Sequence, residues 1–188
     1  MKNLITLISG MLLSTSLYAA QECQTDIPRT APNTRFAVSS NGTVEDLQTG
    51  LVWMRCPLGM TWDSNNGVCS GAATLHTWQS ALTQVQSIDA AENNHALHQF
   101  AGIANWRLPN IKELMSLTEA ACHSPAMNGR AFNSAFAQAE LGDLSTYLWS
   151  NTSAGDGTNV WTYSIFNAET YAYTPSQEFG VLLVADKN

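Results

Sequence analysis

The chain has 188 residues, 45% of them hydrophobic and 12% charged, with eight Lys and Arg against fifteen Asp and Glu. That length fits one domain, and six Trp, six Phe and five Tyr supply enough apolar surface to exclude disorder as the main state. A net charge of −7 lacks the basic footprint that a phosphate backbone or an anionic membrane requires, which argues against nucleic acid and against a lipid surface as partners.

Residues 1–20 read as a secretory signal peptide. Lys2 is the positive start, Leu4 to Leu13 is the apolar run, and small residues lead to Ala19-Ala20, where cleavage is expected. The run is too short to span a bilayer, and no later stretch is long and apolar enough to do so. Gln21-Glu22 before Cys23 are too bulky and polar for a lipoprotein cleavage site. Without Lys2 the mature chain carries seven basic and fifteen acidic residues, a charge of −8. Export to the periplasm or the cell surface is the expectation. Four cysteines, Cys23, Cys56, Cys69 and Cys122, agree with an oxidising compartment. Of the three possible pairings, spacing favours Cys56 with Cys69, which bracket a Pro- and Gly-containing loop, leaving Cys23 with Cys122. Each link contributes about 3–5 kcal/mol on chain-entropy grounds. The absence of a C-x-x-C argues against zinc.

Residues 21–35 read as a polar arm and 36–188 as a single domain. Thr43 to Leu47 and Leu51 to Arg55 are extended runs joined by Gln48-Thr49-Gly50, a β-hairpin signal. The disulfide loop follows. Trp78, Ala81, Leu82, Val85 and Ile88 fall at helical spacing behind Thr77 as N-cap, which predicts a helix over 78–92. In Trp106-Arg107-Leu108-Pro109 the proline bars a helix. Asn110 then caps a second helix with Glu113 as its capping-box partner and Ile111, Leu114, Leu117 and Ala121 as its inward stripe. Residues 123–146 read as an irregular connection with a helical turn near Ser134–Glu140. Tyr147 to Ser150, Val160 to Phe166, Thr170 to Thr174 and Gly180 to Ala185 are strand-like, the middle two pairing across 167–169. The order predicts an α+β fold.

Three runs, G-T-V-E-D-L-Q-T-G-L-V-W-M (Gly42 to Met54), W-R-L-P-N-I-K-E-L (Trp106 to Leu114) and L-W-S-N-T (Leu148 to Thr152), together resemble the Lcl C-terminal domain family, over roughly Phe36 to Thr174. The family is named for the C-terminal domain of a bacterial collagen-like adhesin, and its members are mostly exported. The resemblance implies a compact domain of C-type-lectin-like type, also similar to the formylglycine-generating-enzyme fold, with two main helices beside an irregular antiparallel sheet. The end G-V-L-L-V-A-D-K-N lacks the basic, cysteine-containing strand usual in the family. The adhesin's sulfated polysaccharide is not transferred, because a −8 domain repels a polyanion.

For chemistry, Arg107 is the leading polar residue: its guanidinium fits a ligand carboxylate or, as a structural group, Glu113 or Glu119. His95 and His98 at i, i+3 lack the Glu of a zinc motif, and His76 and His123 stand alone. Asp63 to Gly67 resembles part of a calcium loop without its register or distal Glu, and Asp156-Gly157-Thr158-Asn159 is a turn with a calcium option; neither makes a metal or cofactor site. Ser150 lacks a nucleophile context, so no catalytic constellation is found and the protein is read as a non-enzyme. The aromatic hairpin region comprises Trp149, Trp161, Tyr163, Tyr171 and Tyr173, with Trp161 and Tyr163 on one strand face and one aromatic face in the core. The expected function is an exported binding or adhesion-type domain that recognises a glycan or an envelope protein. Its expected contact residues are Arg107, Trp149, Asn151, Asp156, Asn159, Trp161 and Tyr163. The alternatives are a structural subunit of an envelope or surface assembly, such as a pilus or secretion apparatus, whose residues 180–188 add to a partner's sheet, and an enzyme with a deep pocket around Arg107.

Overall fold

A computed structural model describes residues 21–90, 92, 94–132, 135–136 and 143–187. The expected signal peptide lies outside these residues, as does most of the expected turn near Ser134–Glu140. The fold is α+β, with antiparallel sheets, two α-helices and two disulfides among the described residues.

The N-terminal strands are β1 (Glu22–Cys23), β2 (Phe36–Val38), β3 (Thr43–Asp46) and β4 (Leu51–Met54). Strands β2, β3 and β4 run as successive antiparallel neighbours, Val44 opposite Trp53. The predicted hairpin forms for a local reason. Asp46 accepts from the Gln48 amide and the Thr49 hydroxyl, and Gly50 at φ +74° closes the turn by donating to the Asp46 carbonyl. The loop closed by Cys56–Cys69 holds a second hairpin, β5 (Thr61–Asp63) and β6 (Val68–Ser70). Its strands are too short for alternation to reveal them. The other disulfide, Cys23–Cys122, joins β1 to β7 (Cys122–His123).

Helix α1 (Trp78–Asp89) starts at the predicted cap, Thr77, which accepts from the Ser80 amide at 3.3 Å, and it buries Ala81, Val85 and Ile88. It stops before the expected residue 92. Asp89 and Glu92 are acids at the negative end of the helix dipole, and the Ile88 carbonyl is bound by the His98 ring at 2.8 Å. Helix α2 (Ile111–Ser116) carries the complete Asn110–Glu113 capping box. It is shorter than the predicted stripe: Leu117 is its C-cap, and Ala121, although buried, lies beyond it.

The remaining strands are β8 (Tyr147–Ser153), β9 (Val160–Ser164), β10 (Thr170–Tyr173) and β11 (Val184–Asp186). Strand β9 is central, flanked by β8 and β10. Strand β11 pairs antiparallel with β4, so the C-terminal segment is satisfied inside the fold. The sequence leaves open whether residues 180–188 pair within the fold or with a partner's sheet; Val184–Asp186 pairs within the fold. The segment is a seam: Phe179 bonds to His76, Gly180 to Tyr147 and Trp149 of β8, Val181 to Leu58, Leu183 to Met54, and Val184 to Arg107.

Two cores lie on opposite sides of this seam. Leu182 and Val184 join Val44, Trp53, Leu114, Leu117, Leu148 and Tyr163. Val181, Leu183 and Ala185 join Val52, Met54, Ala81, Val85, Ile88, Trp106, Trp149 and Phe179. Successive strand residues thus alternate between a core under α2 and a core under α1, the period-2 geometry of a strand covered on both faces.

Candidate functional site

Both faces of β8 and β9 are largely covered, and that decides the fate of the predicted contact residues. Trp149 is fully buried against Phe179, with ring centroids 4.9 Å apart, and donates its indole N–H to the His76 carbonyl at 2.7 Å. Tyr163 is fully buried, its hydroxyl 2.9 Å from that of Thr118, and burial pushes its pKa up to about 12. Neither side chain can meet a ligand at the surface, which corrects their expected contact roles. Trp161 is half-buried on the face opposite Trp149.

Arg107 takes the structural role. Its two terminal nitrogens donate to Glu113 at 2.9 and 2.8 Å, and one also reaches Asp186 at 3.2 Å. The Glu113 bonds, working against burial, raise its pKa. Glu113 caps α2 at the same time, so one carboxylate ties the Trp106–Pro109 loop, the helix start and, through Arg107, β11. Glu119, the other acid considered for Arg107, instead accepts from the Thr30, Ala31 and Ala121 amides. Asn151 is exposed and donates its amide to the Leu108 carbonyl at 3.3 Å. Asp156 organises its own turn, accepting from the Thr158 and Asn159 amides and from the Asn159 side chain; these bonds hold its pKa down to about 2. Of the expected contact residues, Trp149 and Tyr163 are thus buried, Trp161 is half-buried, and Arg107, Asn151, Asp156 and Asn159 are held by hydrogen bonds within the chain.

Three tyrosines meet on one sheet face. On the Thr162 and Ser164 face of β9 the central strand is small, and the flanking strands place tyrosines beside it: Tyr147 opposite Ser164, Tyr171 opposite Thr162 and Tyr173 opposite Val160. The large side chains meet above the small ones. Tyr147 lies 5.8 Å from both Tyr171 and Tyr173, centroid to centroid, and Tyr171 lies 6.1 Å from Tyr173. Buried Phe179 is the floor, 4.8 Å from Tyr173 and 5.4 Å from Tyr147. Tyr171 is 38% exposed at the outer edge. Its hydroxyl donates to the exposed Glu169 carboxylate, which also accepts from the Asn167 amide at 2.6 Å. Bonding to Glu169 pushes the Tyr171 pKa up to about 12, and the same bond lowers that of Glu169. Tyr171 and Tyr173, two apart on β10, share a face by strand alternation. Tyr147 was missed, because only the register sets it beside them.

The histidines are occupied locally: His95 accepts from the Leu97 amide, and the His76 ring lies between the Thr74 and Ser80 hydroxyls. No group of three or more His, Cys, Asp or Glu able to hold a metal occurs among the described residues. A cleft of about 420 Å³ opens under the N-terminal arm, and Arg107 does not line it.

Two crosslinks on a small α+β body place the protein among secreted or surface domains. No described helix is long and apolar enough to cross a membrane. The chain belongs to the Lcl C-terminal domain family, whose model matches residues 42–185. It is also similar to U5-theraphotoxin-Hs1a 5 of Cyriopagopus schmidti, 33% identical over 75 residues that make up 40% of this chain and 81% of the toxin.

Proposed function

We propose that the protein is a non-enzymatic binding domain, exported to the periplasm or the cell surface, that recognises a neutral glycan through the Tyr147–Tyr171–Tyr173 shelf, and that its body is of C-type-lectin-like type. The observation that carries this reading is the shelf itself: three mutually packed rings on a buried floor, one of them open to solvent, with a carboxylate and an amide at the edge. Such rings offer a flat apolar face to a pyranose, and Glu169 and Asn167 offer its hydroxyls hydrogen-bond partners. The packing fixes the rings beforehand, which limits the entropy lost on binding. A net charge of −7 suits a neutral sugar better than an acidic one.

The test is binding to an array of neutral oligosaccharides, followed by titration of a hit. Tyr171→Ala is expected to lower affinity about 5- to 30-fold with the circular dichroism spectrum unchanged, the loss of roughly 1–2 kcal/mol of stacking. A folded protein that retains none of the array, or a Tyr171→Ala variant that binds like the parent, overturns the proposal.

A further inference from the structure

We infer that the cleft beneath the N-terminal arm binds a small organic monocarboxylate. The arm is laid down by specific ties. Gln21 donates its amide to the Pro125 and Met127 carbonyls at 2.8 and 2.7 Å, and the Cys23–Cys122 link fixes the next turn of chain. Glu119, 2% exposed, accepts from the Thr30 and Ala31 amides at 3.1 and 3.2 Å. Asn128, also buried, donates to the Ala31 carbonyl at 2.8 Å and to the Asn33 side chain at 2.9 Å. Between these ties the arm and the 127–130 segment stand apart around a cleft of about 420 Å³, a volume within the range of small-molecule sites.

The arginines single this cleft out. The chain has five. Arg35 is paired with Asp46, Arg107 with Glu113 and Asp186, and Arg55 donates to the Arg130 and Ala131 carbonyls. The other two, Arg29 and Arg130, have no carboxylate partner among the described residues, and both line the cleft. Both are exposed. Arg29 uses one terminal nitrogen on the disulfide sulfurs, 3.2 Å from that of Cys23, which leaves the rest of its fork available. In a chain with nearly twice as many acids as bases, two guanidiniums without a carboxylate on one cleft mark a place for an external anion.

The same residues set the anion's class. Glu119 also lines the cleft, its carboxylate already held by backbone amides. Two guanidiniums and one carboxylate leave a single net positive charge, which matches one carboxylate rather than a doubly charged phosphate. A guanidinium fork holds a carboxylate in two parallel bonds. Half-buried Pro32 supplies apolar wall for the ligand's carbon body, and exposed Asn33 supplies an amide for its polar substituents. The site shares no residue with the tyrosine shelf and does not rest on the glycan reading.

The test uses the disulfide-intact protein, titrated by calorimetry and by NMR of the arginine side-chain N–H groups. The probes are butyrate, benzoate and gluconate, with butyramide, benzamide and inorganic phosphate as comparators at matched ionic strength. At least one acid is expected to saturate with a Kd below about 1 mM, shifting the Arg29 and Arg130 signals, and its amide to bind at least about tenfold more weakly. Arg130→Gln and Arg29→Gln, both at exposed positions, should each weaken that acid at least about tenfold while spectrum and disulfides stay intact. Tyr171→Ala should leave it unchanged. The inference is overturned if no acid saturates, if amide or phosphate binds as tightly as the acid, or if both arginine variants bind like the parent.

Discussion

Removing residues 180–188 should abolish folding, and the size of the effect follows from the seam. Val181, Leu182, Leu183 and Val184 are all at most 1% exposed. Burying each such side chain is worth about 1.5–3 kcal/mol, so the four together account for about 6–12 kcal/mol. Whole domains are stable by only about 5–15 kcal/mol. The backbone bonds from Gly180, Val181, Leu183 and Val184 to four other segments are lost as well. The finer perturbation is a pair of point variants. Leu182→Ala and Leu183→Ala should each cost about 2–5 kcal/mol. Because these neighbours face different cores, they share no cavity, and their effects should add within about 0.5 kcal/mol. Urea unfolding with the disulfides oxidised measures the truncation, both single variants and the double variant. A truncated protein with native near-ultraviolet circular dichroism and an unchanged midpoint would refute the seam. Strong coupling between the two leucines would refute the separation of the cores.

Asp46→Ala should destabilise by about 3–5 kcal/mol in the same urea assay, because it strands Arg35, which is nearly as buried as its partner; a loss below 1 kcal/mol would place the pair with surface bridges. Burial works to raise the Asp46 pKa, but the bonds from Arg35, Thr49 and Gln48 win and lower it. The folded carboxyl therefore binds a proton less readily than the unfolded one. Its stabilisation is fully present above the unfolded value of about 3.9 and is lost as pH falls through the lower folded value. Arg35→Met should flatten the pH dependence of the urea midpoint in that window. Ultraviolet titration should find Tyr163 and Tyr171 ionising late, near about 12, and Glu169→Gln should bring Tyr171, but not Tyr163, back toward its ordinary value.

What was legible in the sequence was what local chemistry sets. Thr77 and Asn110 each bond three residues ahead, and the Asp46–Gly50 turn closes within five residues, so caps and hairpin could be read directly. Spacing pointed to the Cys56–Cys69 pair, and Cys23–Cys122 was the pair it left. The functional surface was less legible, because alternation along a strand sorts side chains onto two faces without saying whether either is covered. Trp149 and Tyr163 were expected at the surface for that reason, and the two helices and the C-terminal segment cover them. Tyr147 joins the shelf through its pairing with Ser164, a contact 17 positions away in sequence. The integration of the arm depends on Glu119 and Asn128, which lie about 90 positions or more from their partners.

The seam also fixes the order of assembly. Phe179 to Asp186 emerges from the ribosome after every other element of the domain, yet it separates the two cores and joins β8 to β4. Neither half can reach its final packing before this stretch has been made. Maturation therefore waits for the seam, and until it docks the nascent protein exposes two unfinished apolar interiors to whatever chaperones attend its passage.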